Sequence, residues 1–189
     1  ALAAAHPALE VSVHVDVGAA LAERLDKGEL DVAVIAGPAS RSALTSVPLA
    51  HARFAWCAGP GVARGLQRMD ADAVQSQSLV TLSQGSGVTH LIDDWLRQAD
   101  ARPARRLVCN HWGAIVGLLA QGSGIGLLPE GWAQALCERG VLQLLASPAP
   151  LGSLGYALHS RRDDLRPLVG MLHGMAAQHA DFTVGSGAF

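Results

Sequence analysis

The chain has 189 residues, of which 50% are hydrophobic and 16% charged. That suits one domain, or two small lobes sharing one chain, and excludes a disordered segment. The formal net charge of -2 argues against nucleic-acid binding by this segment alone, because phosphate contacts need a clustered basic surface. Three cysteines (Cys57, Cys109 and Cys137) are an odd, sparse set that builds no disulfide framework and favours a reducing cytoplasm. No apolar run reaches the roughly 18 residues of a membrane span.

The Ala1–Ala5 run before His6-Pro7 lacks the basic leader of a signal peptide and reads as the tail of a helix, so the chain is expected to start mid-fold. Val11–Val15 alternates like a strand with one buried face. Gly18 opens a helix with Leu21 and Leu25 on one face, and Gly28 stops it. Asp31–Ala36 is a short apolar run ending in Gly37-Pro38, as in a strand buried on both faces. Val47–Ala50 and Phe54–Ala58 predict two more strands, followed by a turn at Gly59-Pro60-Gly61.

Val62–Ser78 is polar and weakly periodic, and a lobe boundary is placed there. Leu79–Leu82 restarts the strand pattern, Ser83–Gly87 makes a glycine-rich turn, and Val88, Leu91, Ile92, Trp95 and Leu96 fall at helical spacing. After a break at Arg102-Pro103, Arg106–Cys109 predicts a strand, and Asn110 is placed as the N-cap of a helix carrying Trp112, Ile115, Val116 and Leu119. Gly122-Ser123-Gly124 ends that helix before a strand at Ile125–Leu128. Pro129 starts another helix, which Gly140 ends, and Val141–Leu145 is a strand. Ser147–Pro150 is a second linker, followed by a strand at Leu154–His159 and a helix at Pro167–Ala180 with Leu168, Met171, Leu172 and Met175 inward. The tail from Asp181 is expected to fray. Strands alternating with helices predict an α/β fold with parallel strand pairs, and two linkers around one unit predict a lobe inserted in another, with a ligand cleft between them.

Several motifs bear on chemistry. In the Ser83–Gly87 turn, free backbone N–H groups at a helix start can hold an anion such as a carboxylate, with Ser83, Gln84 and Ser86 adding polar side chains. An ordinary turn with a serine cap explains the same residues equally well. The Gly-Lys-Ser/Thr ending of a phosphate loop is absent, and Gly122–Gly126 has Leu127 where a dinucleotide fingerprint needs its third glycine. Asn110 and His111 stand at a strand end and can face a ligand, although capping alone accounts for Asn110. No nucleophile elbow and no zinc-ligand spacing is present, so no metal or cofactor is expected. Asp16, His14 and His111 are the weak candidates for catalysis. Cys57 and Cys137 read as buried fillers, and Asp93-Asp94 and Arg161–Asp164 as solvated surface. His6, His159, His173 and His179 also read as surface residues.

Two segments resemble one family. His6-Pro7-Ala8-Leu9-Glu10-Val11-Ser12-Val13, then Gly18, then Leu25–Val34 is similar to the opening signature of LysR-type effector domains, and Asn110–Pro129 is similar to their second signature. Together they cover nearly the whole chain. The resemblance implies a fold like that of type 2 periplasmic binding proteins, with two Rossmann-like lobes joined by two crossovers near Ala71–Ser76 and Ala146–Pro150. Regulatory lobe I is then residues 1–73 with 149–189, and the inserted lobe II is residues 76–146. The family's first strand is missing from this sequence, as is the helix-turn-helix.

The resemblance further implies a non-enzymatic sensor of a small-molecule effector, a carboxylate among the candidates, acting as a homodimer or homotetramer in the cytoplasm. It implies contact with DNA only through a separate helix-turn-helix domain, and none with a membrane. Carried over by motif, the effector-binding positions are Gly18, Ala36, Ser83, Gln84, Asn110 and His111. Ser86 is added from the anion argument. The alternative is a periplasmic solute-binding protein of the same fold.

Overall fold

The computed structural model describes residue 6, residues 9–66 and residues 68–180. The expectations for Ala1–Ala5 and for the tail from Asp181 lie outside them.

Helix α1, Gly18–Asp26, leads into strand β1, Val32–Ala36, then β2, Leu44–Ala52, and β3, Phe54–Ala58. Two short helices follow, α2 at Pro60–Ala63 and α3 at Ala71–Ser76. A strand-helix series comes next: β4 Ser78–Leu82, α4 Gly87–Gln98, β5 Arg105–Cys109, α5 Trp112–Ala120, β6 Ile125–Pro129, α6 Glu130–Glu138 and β7 Gln143–Leu145. Strand β8, Leu154–Arg161, and helix α7, Pro167–His179, close the described chain.

These strands form two sheets, ordered β1-β8-β2 and β5-β4-β6-β3-β7. In the first, β8 lies between β1 and β2 and runs antiparallel to both, from Val32↔Ser160 to Ala36↔Tyr156 and from Leu44↔Arg161 to Ala52↔Leu154. The parallel pairs expected from the alternating pattern are in the second sheet. There β4 pairs in parallel with β5 and β6, because α4 and α5 each carry the chain back to the same sheet end. β3 joins the second sheet antiparallel to β6 and β7.

The sheet change is abrupt. Ala52 ends β2, Arg53 alone intervenes, and Phe54 starts β3 in the other sheet. The chain returns between Leu145 and Leu154, through the expected second linker. Trp95 of α4 holds that linker by donating from Nε1 to Ser147 Oγ at 2.9 Å and to the Ala149 carbonyl at 3.2 Å. The first passage is thus some twenty residues earlier than the expected crossover at Ala71–Ser76. That segment is helix α3, with Ala73 and Val74 buried against the second core and Asp70 Oδ1 accepting from the Ala73 N–H.

Two cores match the two sheets. The larger surrounds the edge-on Trp56–Trp95 pair, whose ring centroids are 5.0 Å apart. The smaller contains Leu25, Ala33, Ile35 and Leu44, so α1 is seated on β1 by Leu25. Burying one such leucine contributes about 2 kcal/mol.

One expected strand does not form. Val11–Val15 has no regular structure, and Val11, Val13 and Val15 are 57%, 80% and 83% exposed. A groove of about 490 Å³ separates it from β1, with Val13 and Val15 on one side and Val32 and Val34 on the other. Alternating valines give a capacity for pairing, but a ladder needs a partner backbone about 4.8 Å away.

The surface expectation also fails at two places. Asp164 has a side chain only 3% exposed, enclosed by Arg161 and Arg166. His159 is 2% exposed, because β8 is the central strand of its sheet and its stretch from Ala157 to Ser160 is buried on both faces. The inward residues of α7 are half-buried, and Val169 is the one fully buried on that helix.

Candidate functional site

The two sheets meet at a cleft of about 410 Å³. Each contributes a helix N-terminus to it. From the first sheet comes the start of α1, where Gly18 and Ala19 line the cleft and the N-cap residue, Val17, offers no side-chain cap. From the second comes the start of α4, where Ser86 is the N-cap and its Oγ accepts from the Val88 N–H at 3.3 Å. Backbone N–H groups at helix starts lack partners within the helix and carry partial positive charge.

The two ends can approach because their contact surfaces lack side chains. A β-carbon on Gly85 would lie 3.3 Å from the Ala19 Cβ, and one on Gly87 would lie 3.0 Å from the Ala36 Cβ. Gly85 also has φ +87, a left-handed conformation that suits glycine. Gly18 is likewise required by packing, since a β-carbon there would stand 2.9 Å from Ile35 Cγ2.

Of the expected positions, Gly18, Ala36 and Ser86 line this cleft. Ser83, Gln84, Asn110 and His111 are not among its lining residues. Ser83 is half-buried and its carbonyl accepts from Thr89 Oγ1 at 3.1 Å, while Gln84, Asn110 and His111 are exposed. They do share one sheet end, because Leu82 and Cys109 are paired across β4 and β5. The cap of α5 is His111 and not Asn110: His111 Nδ1 accepts from the Gly113 N–H at 3.1 Å.

The cleft brings in residues that the motifs did not single out as ligands. Asp16 lines its rim, exposed, with Oδ1 accepting from the Val17 N–H at 2.8 Å. Trp112 enters from α5, and Tyr156 and His159 from β8. Burial pushes the Tyr156 phenol up. Burial likewise pushes His159 down, partly offset by hydrogen bonding to the Gly37 and Ile35 carbonyls. The sequence signal for His159 was its place within an apolar strand, one alternation from Ala157. Among the described residues, no lysine or arginine lines the cleft, and no three His, Cys, Asp or Glu side chains gather as a metal site.

Two glycine-lined helix starts closing one cleft between two α/β sheets describe a two-lobed ligand-binding domain. The chain matches the LysR substrate binding domain over residues 1–181 and belongs to that family. It is 28% identical over 189 residues to a probable hydrogen peroxide-inducible genes activator of Mycobacterium avium, covering 94% of this chain. The chain spans 60% of the length of that curated relative.

Solved structures with a similar fold include the regulatory domain of CcmR from Synechocystis PCC6803 in complex with 2-PG (TM-score 0.77, 17% identity, 94% of this chain and 86% of that one). The effector binding domain of QuiR in complex with shikimate is also similar (TM-score 0.75, 17% identity, 92% and 83%). So is the reduced regulatory domain of OxyR2 from Vibrio vulnificus (TM-score 0.74, 18% identity, 94% and 84%). The chain is therefore an effector-binding domain of the LysR type.

Proposed function

We propose that this domain binds a small metabolite in the inter-sheet cleft and that binding controls DNA contact by a separate helix-turn-helix domain. The observation that carries the reading is the pairing of the α1 and α4 N-termini, one from each sheet, across a single cleft. A ligand bridging them stabilises the closed arrangement over the open one, and that difference is what a coupled equilibrium transmits. Relatives bound to shikimate and 2-PG support small acids as the class to screen first.

The same reading takes residues 9–52 with 154–180 as the first lobe and 54–145 as the second. Gly18, Ala36 and Ser86 are its primary contacts, and Ser83, Gln84, Asn110 and His111 are contacts for an effector long enough to reach the ends of β4 and β5. The domain is proposed to be non-enzymatic, to assemble as a homodimer or homotetramer, and to work in the cytoplasm. Family membership does not favour the solute-binding alternative.

The test is a thermal-shift screen of small carboxylates and aromatic metabolites, followed by calorimetry on the hits. A saturating ligand at 100 times its Kd stabilises by about 2.7 kcal/mol, which is readily seen in Tm. If no compound shifts Tm, or if Ser86→Ala leaves the Kd of every hit unchanged, the cleft is not the effector site.

A further inference from the structure

The loop between β1 and β2 borders a second hollow, of about 440 Å³. Ser40, Arg41, Ser42, Thr45, Ser46 and Arg162 line it, and no aspartate or glutamate does. Guanidinium and hydroxyl groups around one space are a donor set for an oxyanion. The hollow adjoins the cleft, because Pro38, Ser40 and Leu44 line both.

Arg162 follows β8 and is held against this loop. Its backbone N–H donates to the Ala43 carbonyl at 2.8 Å, its Nε to the Ser42 carbonyl at 3.1 Å and its Nη2 to the Leu44 carbonyl at 3.1 Å. A guanidinium has five N–H donors, so both on Nη1 and one on Nη2 remain for a ligand. The acids that follow it in the chain are engaged elsewhere, Asp163 with Arg161, and Asp164 with Arg161 and Arg166. Arg41 differs, because Asp26 Oδ2 lies 2.8 Å from its Nη1 and offsets its charge. Arg162 is exposed, so an ion from solvent reaches it. An arginine already held in place loses little side-chain freedom when an anion binds. Half-buried Ser46 adds a second donor: its Oγ accepts from the Ala39 N–H at 3.2 Å, which leaves the hydroxyl proton to donate.

We propose that this hollow binds a phosphate-like oxyanion, anchored by the Arg162 guanidinium and the Ser46 hydroxyl. The proposal does not depend on the effector reading of the cleft. The oxyanion comes either as the free ion or as the end of an organic phosphate whose body passes Pro38 and Ser40 into the cleft.

The test is a magnetic-resonance titration of the nitrogen-15-labelled protein. Sodium phosphate is added at constant ionic strength, with sodium chloride as the control. Phosphate should bind saturably at millimolar concentration, moving the Arg162 Nε–H resonance and the amides of residues 39–46. Arg162→Gln removes the charge and should weaken binding roughly tenfold. Ser42→Asp places a carboxylate in the hollow, keeps the backbone carbonyls that hold Arg162, and should weaken binding to a similar degree.

If Arg162→Gln fails to fold, Ser42→Asp carries the test. Shifts no larger than those from chloride overturn the site, as do shifts spread evenly over exposed arginines elsewhere, such as Arg64 and Arg139. An unchanged Kd in either folded variant also overturns it. Phenyl phosphate separates the two sources: tighter binding than inorganic phosphate assigns the organic ester, and equal or weaker binding assigns the free ion.

Discussion

Gly87, the first residue of α4, lies so close to Ala36 at the end of β1 that a β-carbon on it would stand 3.0 Å from the Ala36 Cβ and 3.2 Å from Leu154 Cδ1. The contact joins the second sheet to the first, so its spacing sets how far the cleft closes. Gly87→Ala adds one methyl there, and helical backbone at this position accepts alanine without strain. The expected result is a protein of nearly unchanged or slightly raised Tm that binds its effector several-fold more weakly, because the closed state must open by a few tenths of an ångström. Calorimetry with thermal denaturation checks both halves. Gly85→Ala should differ by also lowering stability by about 1 kcal/mol, since φ +87 is unfavourable for alanine.

Trp95 ties a helix of the second sheet to the return linker through Ser147 and Ala149, and it stacks edge-on against Trp56. Trp95→Phe keeps most of the apolar volume but removes the Nε1 donor. It should cost about 1–3 kcal/mol, for the lost hydrogen bonds and the residual cavity. Amide exchange across residues 146–153 should quicken in the variant. Trp95→Ala should cost about 3–5 kcal/mol and disturb the whole second core. A protection pattern unchanged in the linker would show that Trp95 acts only as filler.

The second sheet was largely legible in the sequence, because β4, β5 and β6 are short runs separated by helical segments, α4 with one buried apolar face and α5 apolar nearly throughout. The first sheet was less so. Val11–Val15 shows the alternation of a strand, yet periodicity records which face is apolar and not whether a partner backbone lies alongside. The passage between sheets at Arg53 was hidden for the opposite reason. Two strands separated by one residue read as neighbours, and nothing local distinguishes a continued hairpin from a step into another sheet. At the cleft, glycine and serine positions were readable from turn chemistry, whereas His159 and Tyr156, on opposite faces of β8, become cleft residues only through the assembled sheet.

Cys57 is fully buried in β3, where its Sγ donates to the Ala55 carbonyl at 3.5 Å. Burial pushes its thiol up to about 12, with neighbouring Cys137 adding to the shift. Thiolate is the reactive form, so Cys57 holds essentially none at neutral pH. In the native protein, Cys57 should resist iodoacetamide and millimolar peroxide, and become labelled only on unfolding. Mass spectrometry of the tryptic peptides gives the readout. Rapid oxidation of Cys57 in the folded state would mean that β3 opens locally. Cys57→Ala should leave effector affinity unaltered while lowering stability by about 1 kcal/mol through lost packing.

Asp164 is enclosed by two arginines. Its Oδ2 lies 2.6 Å from Arg166 Nη2 and 3.3 Å from Arg161 Nη2, and Arg166 also reaches Asp31. The hydrogen bond from Arg166 comes first among the causes that hold its carboxyl at about 2, below the ordinary value of 3.8. A group depressed in the folded state stabilises fully above its unfolded value and loses that contribution as pH falls through its folded one. Folding should therefore weaken with acid between about pH 4 and pH 2, as Asp164 takes up a proton. Asp164→Asn should lower Tm at pH 7 and flatten the pH dependence over that interval. Because the pair joins the end of β8 to the start of α7 and to Asp31 before β1, loss of the ion pair should appear first as fraying of α7. Helical ellipticity followed down the pH titration, in the parent and in Asp164→Asn, separates this local release from global unfolding: a parent that loses all its structure in one step contradicts it.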